Sequence, residues 1–415
     1  MKTTALLGAL LIDGTGHEPR NNPLILIQDG YIKSVLKKKD LSNIQDQSLQ
    51  VLDYHDKALV PGLIDAHVHL TFRPGPDHEA VRKSLTEDDR RGLLPHLALR
   101  NAQHALRGGI TTLRDSGDKG LVTLALRDAI REGLVIGPRM FVSGMPITTS
   151  GGHLHYCGLV ANTDNEVKEA VGMLCNKGVD WIKVIATGGR MTAESKPLDS
   201  QYTEQQINML VREAYLNGKK VEAHVLNTPS IKACVRAGVD HIAHCVWQDS
   251  KGRVLYLEEI VEEIIEKGIF VEMTASGYLR RLLPRSTDSA TKRLEKIAEL
   301  QTFWEPMRTM WQAGVKILLH SDAGVRLTDF DTFSESLLLM SLALDLPAID
   351  VISAATKVPA AALGILDEVG TIEAGKRADL LAVEMNPLED VTRLGQIAMV
   401  MKDGLVCVKN GALIH

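Results

Sequence analysis

Aromatic residues make up only 4% of this 415-residue chain, and its five cysteines show no CxxC spacing. Cys157, Cys175, Cys234, Cys245 and Cys407 are scattered and odd in number, which argues against a disulfide framework and for a reducing compartment, the cytoplasm. Neither sign of charge dominates. Lysine plus arginine total 47 against 52 aspartate plus glutamate, a net charge of −5, too balanced for a nucleic-acid or polybasic membrane partner, so a small-molecule substrate is expected. No run of ~18 consecutive apolar residues is present, so no segment is expected to span a membrane. The Ala5–Ile12 run after Lys2 is short for a signal peptide and ends in an Asp13-Gly14-Thr15-Gly16 turn rather than a small-residue cleavage site. Internal repeats and low-complexity tracts are lacking too. What remains, 45% hydrophobic and 24% charged residues, is ordinary globular composition and excludes disorder, collagen and coiled coil.

Residues 1–60 read as short strands and turns: Ala5–Ile12, Leu24–Gln28, Tyr31–Leu36, Val51–Tyr54 and Ala58–Val60. The tail, residues 371–415, reads likewise, with Asp379–Val383, Ile397–Lys402 and Leu405–Lys409. Each end alone offers too few strands to cover an apolar face, so both are expected to build one small β-sandwich. In between, residues 61–370 alternate short β-branched runs with helix-patterned stretches such as Thr203–Leu216 and Asp331–Leu344, which predicts an α/β fold of parallel strands with helical crossovers. The candidate strands are Leu63–Val68, Thr111–Asp115, Arg139–Gly144, Trp181–Ala186, Lys220–His224, His241–His244, Phe270–Met273 and Lys316–His320. Eight strands close a (β/α)8 TIM barrel.

Chemistry gathers at the ends of these strands. In Pro61-Gly62-Leu63-Ile64-Asp65-Ala66-His67-Val68-His69, period-two geometry puts His67 and His69 on one face, where two imidazoles can bind one metal ion. Lys183 stands inside the apolar strand Trp181–Ala186, where an unpaired ammonium is costly, and this favours a functional lysine. His224 closes the fifth strand, His244 the sixth, and Asp322 follows the eighth.

This ordered set resembles the metal-dependent amidohydrolases of the amidohydrolase superfamily, and the terminal Gly370-Thr371-Ile372-Glu373-Ala374-Gly375-Lys376-Arg377-Ala378-Asp379-Leu380 adds to the likeness. The resemblance implies two divalent metal ions, usually zinc, and a Lys183 carboxylated on its side-chain nitrogen by CO2 that bridges them. It assigns His67, His69 and Asp322 to the more buried ion, His224 and His244 to the second, and a bridging hydroxide as nucleophile. A carbamate anion between two cations relieves their repulsion, and the cations lower the pKa of the water while one polarises the scissile carbonyl. Asp322 would orient that hydroxide, take its proton and pass it to the leaving amine.

After the third strand, Thr149-Ser150-Gly151-Gly152-His153-Leu154-His155 resembles a loop whose histidine reaches substrate, and His153 is the match, with His155 behind it. Trp247, Tyr278 and Arg326 complete the candidate substrate contacts, while Arg190, Arg280, Arg281 and Arg285 also lie just past strand ends. His241 and His320 read as core or supporting residues and Cys245 as a small buried hydrophobe. His17, His55, His78, His96, His104 and His415 receive no role.

Ile182-Lys183-Val184 with Thr187-Gly188-Gly189 most resembles the prolidase-like and Xaa-Arg or Xaa-Lys carboxypeptidase-like branch, which cleaves dipeptides and N-acyl amino acids. One departure is Cys245-Val246-Trp247 after His244, where relatives tend to have glycine and, further on, tyrosine; an indole accepts no hydrogen bond, which implies a flatter, more apolar pocket. Hydrolysis of carbamates, phenylureas or anilides is therefore the alternative, and an imidazolonepropionase-like ring opening the third reading. Deamination is disfavoured, because Asn227 stands where such relatives place glutamate. All six ligand positions are filled, which separates the chain from relatives that lost catalysis. A symmetric homo-oligomer is the expected assembly.

Overall fold

The computed structural model describes residues 3–274, 282–283 and 287–414. Eight parallel strands form the barrel wall: β1 (Leu63–Val68), β2 (Ile110–Asp115), β3 (Arg139–Val142), β4 (Trp181–Ile185), β5 (Lys220–His224), β6 (His241–Ala243), β7 (Phe270–Thr274) and β8 (Ile317–His320). They are the eight runs expected from sequence, each within two residues at its ends. Strands buried on both faces need near-continuous apolar runs, and that is the pattern these segments carry.

The strands β1 to β3 pair as one arc and β4 to β8 as another. The arcs join at two seams. Between β8 and β1, Val68 bridges Ala323 and the His69 amide donates to the Ala323 carbonyl at 2.8 Å. Between β3 and β4, the Asp180 amide donates to the Val142 carbonyl at 2.8 Å, and a short strand Ile147–Thr148 just beyond β3 pairs with β4 at Val184.

The outer helices follow local signals. The helix Glu204–Leu216 is capped by Thr203 in a reciprocal box with Gln206, and buries Ile207, Leu210, Val211 and Ala214 at three- and four-residue spacing. A helix unplaced by the sequence reading, His78–Arg90, follows β1; the Asp77 side chain caps it by accepting from the Ala80 amide. Among the described residues no helix is long and apolar enough to cross a membrane.

Both chain ends share one hydrogen-bonded sheet. The strands Thr3–Leu11, Pro23–Gln28, Tyr31–Lys37 and Gln50–Pro61 join Leu380–Glu384, Ile397–Lys402 and Leu405–Lys409 through antiparallel pairing of Gln50–Pro61 with Leu380–Glu384. Tyr31 bridges Arg377 and the Ile32 amide donates to the Lys376 carbonyl at 2.8 Å, so the sheet folds over itself into a sandwich around Leu6, Ile25, Ile32, Leu59, Met399 and Met401. Sequence separated Val51–Tyr54 from Ala58–Val60. They are one strand, because pairing with Thr3–Leu11 continues through an irregularity between Gly8 and Leu10. Arg139 of β3 fastens the sandwich to the barrel, donating to Asp379 and to Asp403 at 2.6 Å each.

Candidate active site

The C-terminal ends of the strands face a cavity of about 490 Å³. At its floor His67 and His69 lie side by side, buried, as the period-two reading of β1 requires. Each has one ring nitrogen held by the protein. His67 Nδ1 donates to Glu272 at 2.8 Å and His69 Nδ1 to the Gly117 carbonyl at 2.9 Å, while their Nε2 atoms stand 3.7 and 3.5 Å from Asp322 Oδ1. The same arrangement recurs across the cavity. His224 Nε2 donates to the Gly188 carbonyl at 3.0 Å, His244 Nδ1 shares a hydrogen bond with Thr274 at 2.6 Å, and the two rings lie 4.6 Å apart. An outer partner on one nitrogen fixes the tautomer and leaves the other free to ligate, as metal-binding histidines require. Ligand atoms of His67, His244 and Asp322 lie within 4.8 Å of one another. The donor set of imidazoles and a carboxylate thus fits divalent cations.

Backbone strain is concentrated here. His244, Cys245 and Asp322 have φ values of 65°, 47° and 57°, in the left-handed region that non-glycine residues rarely occupy without a surrounding structure that holds them. The Asp322 amide is tied to the His67 carbonyl at 3.0 Å, which joins β1 to the loop after β8 directly.

Lys183 is buried and donates to Glu222, so the ammonium that sequence reasoning treated as unpaired has a partner. Glu222 and Glu272 were not singled out. They sit on β5 and β7, wholly buried, and both accept from Arg114 of β2, whose guanidinium also lies 4.5 Å from the Trp181 ring centre. His241 adds a 2.7 Å contact to Glu272, the supporting role expected of it. Burial is the largest single influence and pushes both carboxyls up, but Arg114, together with Lys183 and His67 at Glu222 and with His241 and His67 at Glu272, outweighs it, so both are held well below the usual carboxylate range. Burial and Lys183 depress His67, but the two carboxylates prevail and push it up to about 9. Burial, then the neighbouring histidines and Lys183, keeps His153, His224 and His244 well below the ordinary imidazole range. The missed signal was simple: charged residues inside apolar barrel strands, the criterion already applied to Lys183.

His320 is wholly buried, accepts from the Ala66 amide at 3.2 Å and is pushed down to about 3 by burial, in keeping with a core role. His153 reaches the cavity, its ring 4.7 Å from that of His224 and its Nδ1 3.2 Å from Thr192 Oγ1. Gly189 makes this possible: a Cβ there would stand 2.3 Å from the His153 ring. Gly189→Ala is expected to displace His153 and lower kcat/KM at least about tenfold while thermal unfolding stays near wild type, measured by steady-state kinetics and circular dichroism.

Two expected substrate contacts, His155 and Trp247, lie away from the cavity lining. His155 is half-buried, turned back onto the Gly152 carbonyl at 2.9 Å, and lies outside the cavity lining. Trp247 is buried beside Tyr256 on a smaller neighbouring cavity of about 140 Å³; past the turn at His244 and Cys245, Val246 and Gln248 are the ones that face the large cavity. The apolar wall inferred from Trp247 is supplied instead by Val246, Phe303 and Trp304. Tyr278, Arg280, Arg281 and Arg285 lie outside the described residues. Arg326 and Arg190 line the cavity, and so does His78, which sequence reasoning had passed over because nothing local marked it.

A closed barrel with four histidines, a lysine and an aspartate converging on the C-terminal mouth is the architecture of a metal-dependent barrel hydrolase. The family model for the amidohydrolase family matches residues 58–407, and the chain belongs to that family, an enzyme that hydrolyses C–N bonds. Ochratoxinase from Aspergillus niger is 27% identical over 94% of this chain and 83% of its own. A crystal structure of a Xaa-Pro dipeptidase with methionine bound in its active site superposes with a TM-score of 0.80 at 28% identity, covering 98% of this chain and 99% of that one. A putative prolidase from Bifidobacterium longum gives 0.80 at 26% identity, covering 100% and 96%.

Proposed function

We propose that this enzyme cleaves the amide bond of a dipeptide or N-acyl amino acid. The observation that carries the reading is the convergence of His67, His69, Lys183, His224, His244 and Asp322 on the floor of one open cavity. The names of the dipeptidase and prolidase relatives support a peptide-type bond. His67, His69 and Asp322 would hold one divalent cation and His224 and His244 a second, zinc being suited to this ligand set; Lys183 would serve both as its carbamate. A carbamate retains one N–H, which can still donate to Glu222. Bound there, such cations supply a water acidified to near neutrality and a polarised carbonyl.

The chain's own residues do the rest. Asp322, beside both β1 histidines, holds the attacking water by one oxygen, takes its proton and returns it to the departing nitrogen. His153, neutral and anchored by Thr192, would donate to the substrate carbonyl. Val246, Phe303 and Trp304 offer an apolar surface for the acyl half and exclude water.

The test is hydrolysis of a panel of Xaa-Pro, Xaa-Arg and Xaa-Lys dipeptides, N-acyl amino acids, phenylureas and carbamates by enzyme whose metal content has been counted. Turnover of the amides, abolished by a chelator and restored by divalent metal, is the expected result. Turnover of ureas or carbamates alone would overturn it.

A further inference from the structure

His153 lies in a loop, and a loop side chain is placed accurately only where the backbone beneath it is held. Gly151 and Gly152 precede it, and Leu154 follows in the left-handed region with φ of 59°. The hold comes from Gln201, in the loop between β4 and the helix Glu204–Leu216. Its side-chain oxygen accepts from the His153 amide at 2.6 Å. Its side-chain nitrogen donates to Thr148 Oγ1 at 3.1 Å and to the Ile185 carbonyl, at the end of β4, at 2.8 Å. Thr148 Oγ1 donates in turn to the His153 carbonyl at 2.7 Å. These bonds close a ring that takes both the amide and the carbonyl of His153, and the bond to Ile185 fastens the ring to the barrel wall. The orientation of the Gln201 amide is fixed by it, since the flipped amide would set its NH2 against the His153 N–H and its oxygen against the Ile185 carbonyl. The Gln201 backbone is anchored as well, its amide donating to the Ala186 carbonyl at 2.8 Å. Glycine at 152 permits the approach: a Cβ there would stand 2.6 Å from Gln201 Oε1. Thr192 completes the hold, its Oγ1 accepting from the Leu154 amide at 3.0 Å and lying 3.2 Å from His153 Nδ1. Nε2 is left as the one polar atom of His153 without a partner among the described residues, and His153 lines the cavity.

We infer that Gln201 is a positioning residue of this enzyme: through its ring with Thr148 it holds the His153 backbone where Nε2 meets the substrate carbonyl. This rests on the role given to His153 in the proposed function. Gln201 is outside the cavity lining, and its side chain bonds none of the candidate metal ligands, so it acts on the reaction through His153 alone. A donor aimed at a reacting carbonyl has its full effect only at hydrogen-bond distance, and a displacement of about 1 Å costs on the order of 10²-fold in rate.

The test is a double-mutant cycle of Gln201→Met with His153→Ala in metal-loaded enzyme, run on the substrate that the panel above shows to be turned over best. Methionine keeps the length of glutamine and forms none of its side-chain hydrogen bonds. Gln201→Met is expected to lower kcat about 10- to 100-fold with KM within about twofold, while metal content and the thermal unfolding midpoint stay near wild type. In the His153→Ala background the same substitution is expected to cost less than about twofold, because the group it positions is gone. Thr148→Val opens the ring at a second point and is expected to lower kcat in the same way by a smaller factor; it carries the same readouts should Gln201→Met fail to fold. Proton–carbon spectra of protein labelled at histidine Cε1 read the hold without turnover. The His153 signal, identified by its loss in His153→Ala, is expected to shift or broaden in Gln201→Met while most other histidine signals stay in place. Losses that multiply in the double variant, a His153 signal unmoved by Gln201→Met, or full activity in His153→Ala each overturn the inference and leave amide cleavage standing. Turnover of ureas or carbamates alone overturns the amide reading, and the same cycle on that substrate still decides the role of Gln201.

Discussion

Lys183→Ala is expected to leave the protein folded, with at most one metal ion per chain against the two proposed for the wild type, and with kcat/KM reduced by far more than the ~10²-fold that losing an outer-shell partner costs. The lysine lies at the cavity floor within the set formed by His67, His224, His244 and Asp322, where its carbamate would hold two cations together. Without that anion, two divalent ions in a low-dielectric pocket repel each other, and one is lost. Folding is less affected, because Glu222, the partner of Lys183, keeps Arg114, which also pairs with Glu272. Metal counting by plasma mass spectrometry, with kinetics on the same sample, checks the prediction. Two bound ions and full activity in Lys183→Ala would refute the carbamate assignment. A shortfall of metal restored by excess bicarbonate in the wild type, and not in the variant, would strengthen it.

The second large effect concerns stability. Arg114→Met keeps much of the side-chain volume but leaves the wholly buried Glu222 and Glu272 facing each other with Lys183, Ser116 and the histidines as their remaining partners. Breaking a buried ion pair by deleting one member typically costs roughly 3–5 kcal/mol, because the residual charge is stranded away from water. Arg114→Met is therefore expected to shift the denaturant midpoint downward by an amount of that order. The triple variant Arg114→Met, Glu222→Gln, Glu272→Gln should recover part of the loss, since it removes the stranded charges along with their partner. Chemical denaturation followed by tryptophan fluorescence and far-ultraviolet circular dichroism measures both. If the single variant is as stable as wild type, the network is not what holds the barrel floor together.

The barrel was legible in the chain because its signals are local. Apolar β-branched runs spaced by helical patterns mark parallel strands, and a histidine pair at period two or a lysine in an apolar strand shows on inspection of a few residues. The sandwich was readable for the same reason, although the joining of Val51–Tyr54 to Ala58–Val60 in one strand was not, since a bulge interrupts the alternation that defines a strand. The substrate wall was read less well. The assignment of Trp247 assumed that a residue three past His244 faces the cavity, yet consecutive left-handed residues turn the chain there and bring Val246 and Gln248 to the cavity instead. Backbone sign is set by what surrounds a turn, and no neighbouring glycine announced it.

By itself, then, the sequence determined the fold class and the residue types that converge at the strand ends, because periodicity and placement at a strand terminus are properties of a short segment. Tertiary structure alone decided which groups hold those residues and which of them line the cavity. Arg114, Glu222 and Glu272 come from three strands, and the cavity-lining His78, Arg190 and Arg326 from the helix after β1 and the loops after β4 and β8. Their association depends on barrel closure, which brings together side chains as far apart as Arg114 and Glu272, separated by 158 positions. A local pattern carries no record of such a meeting.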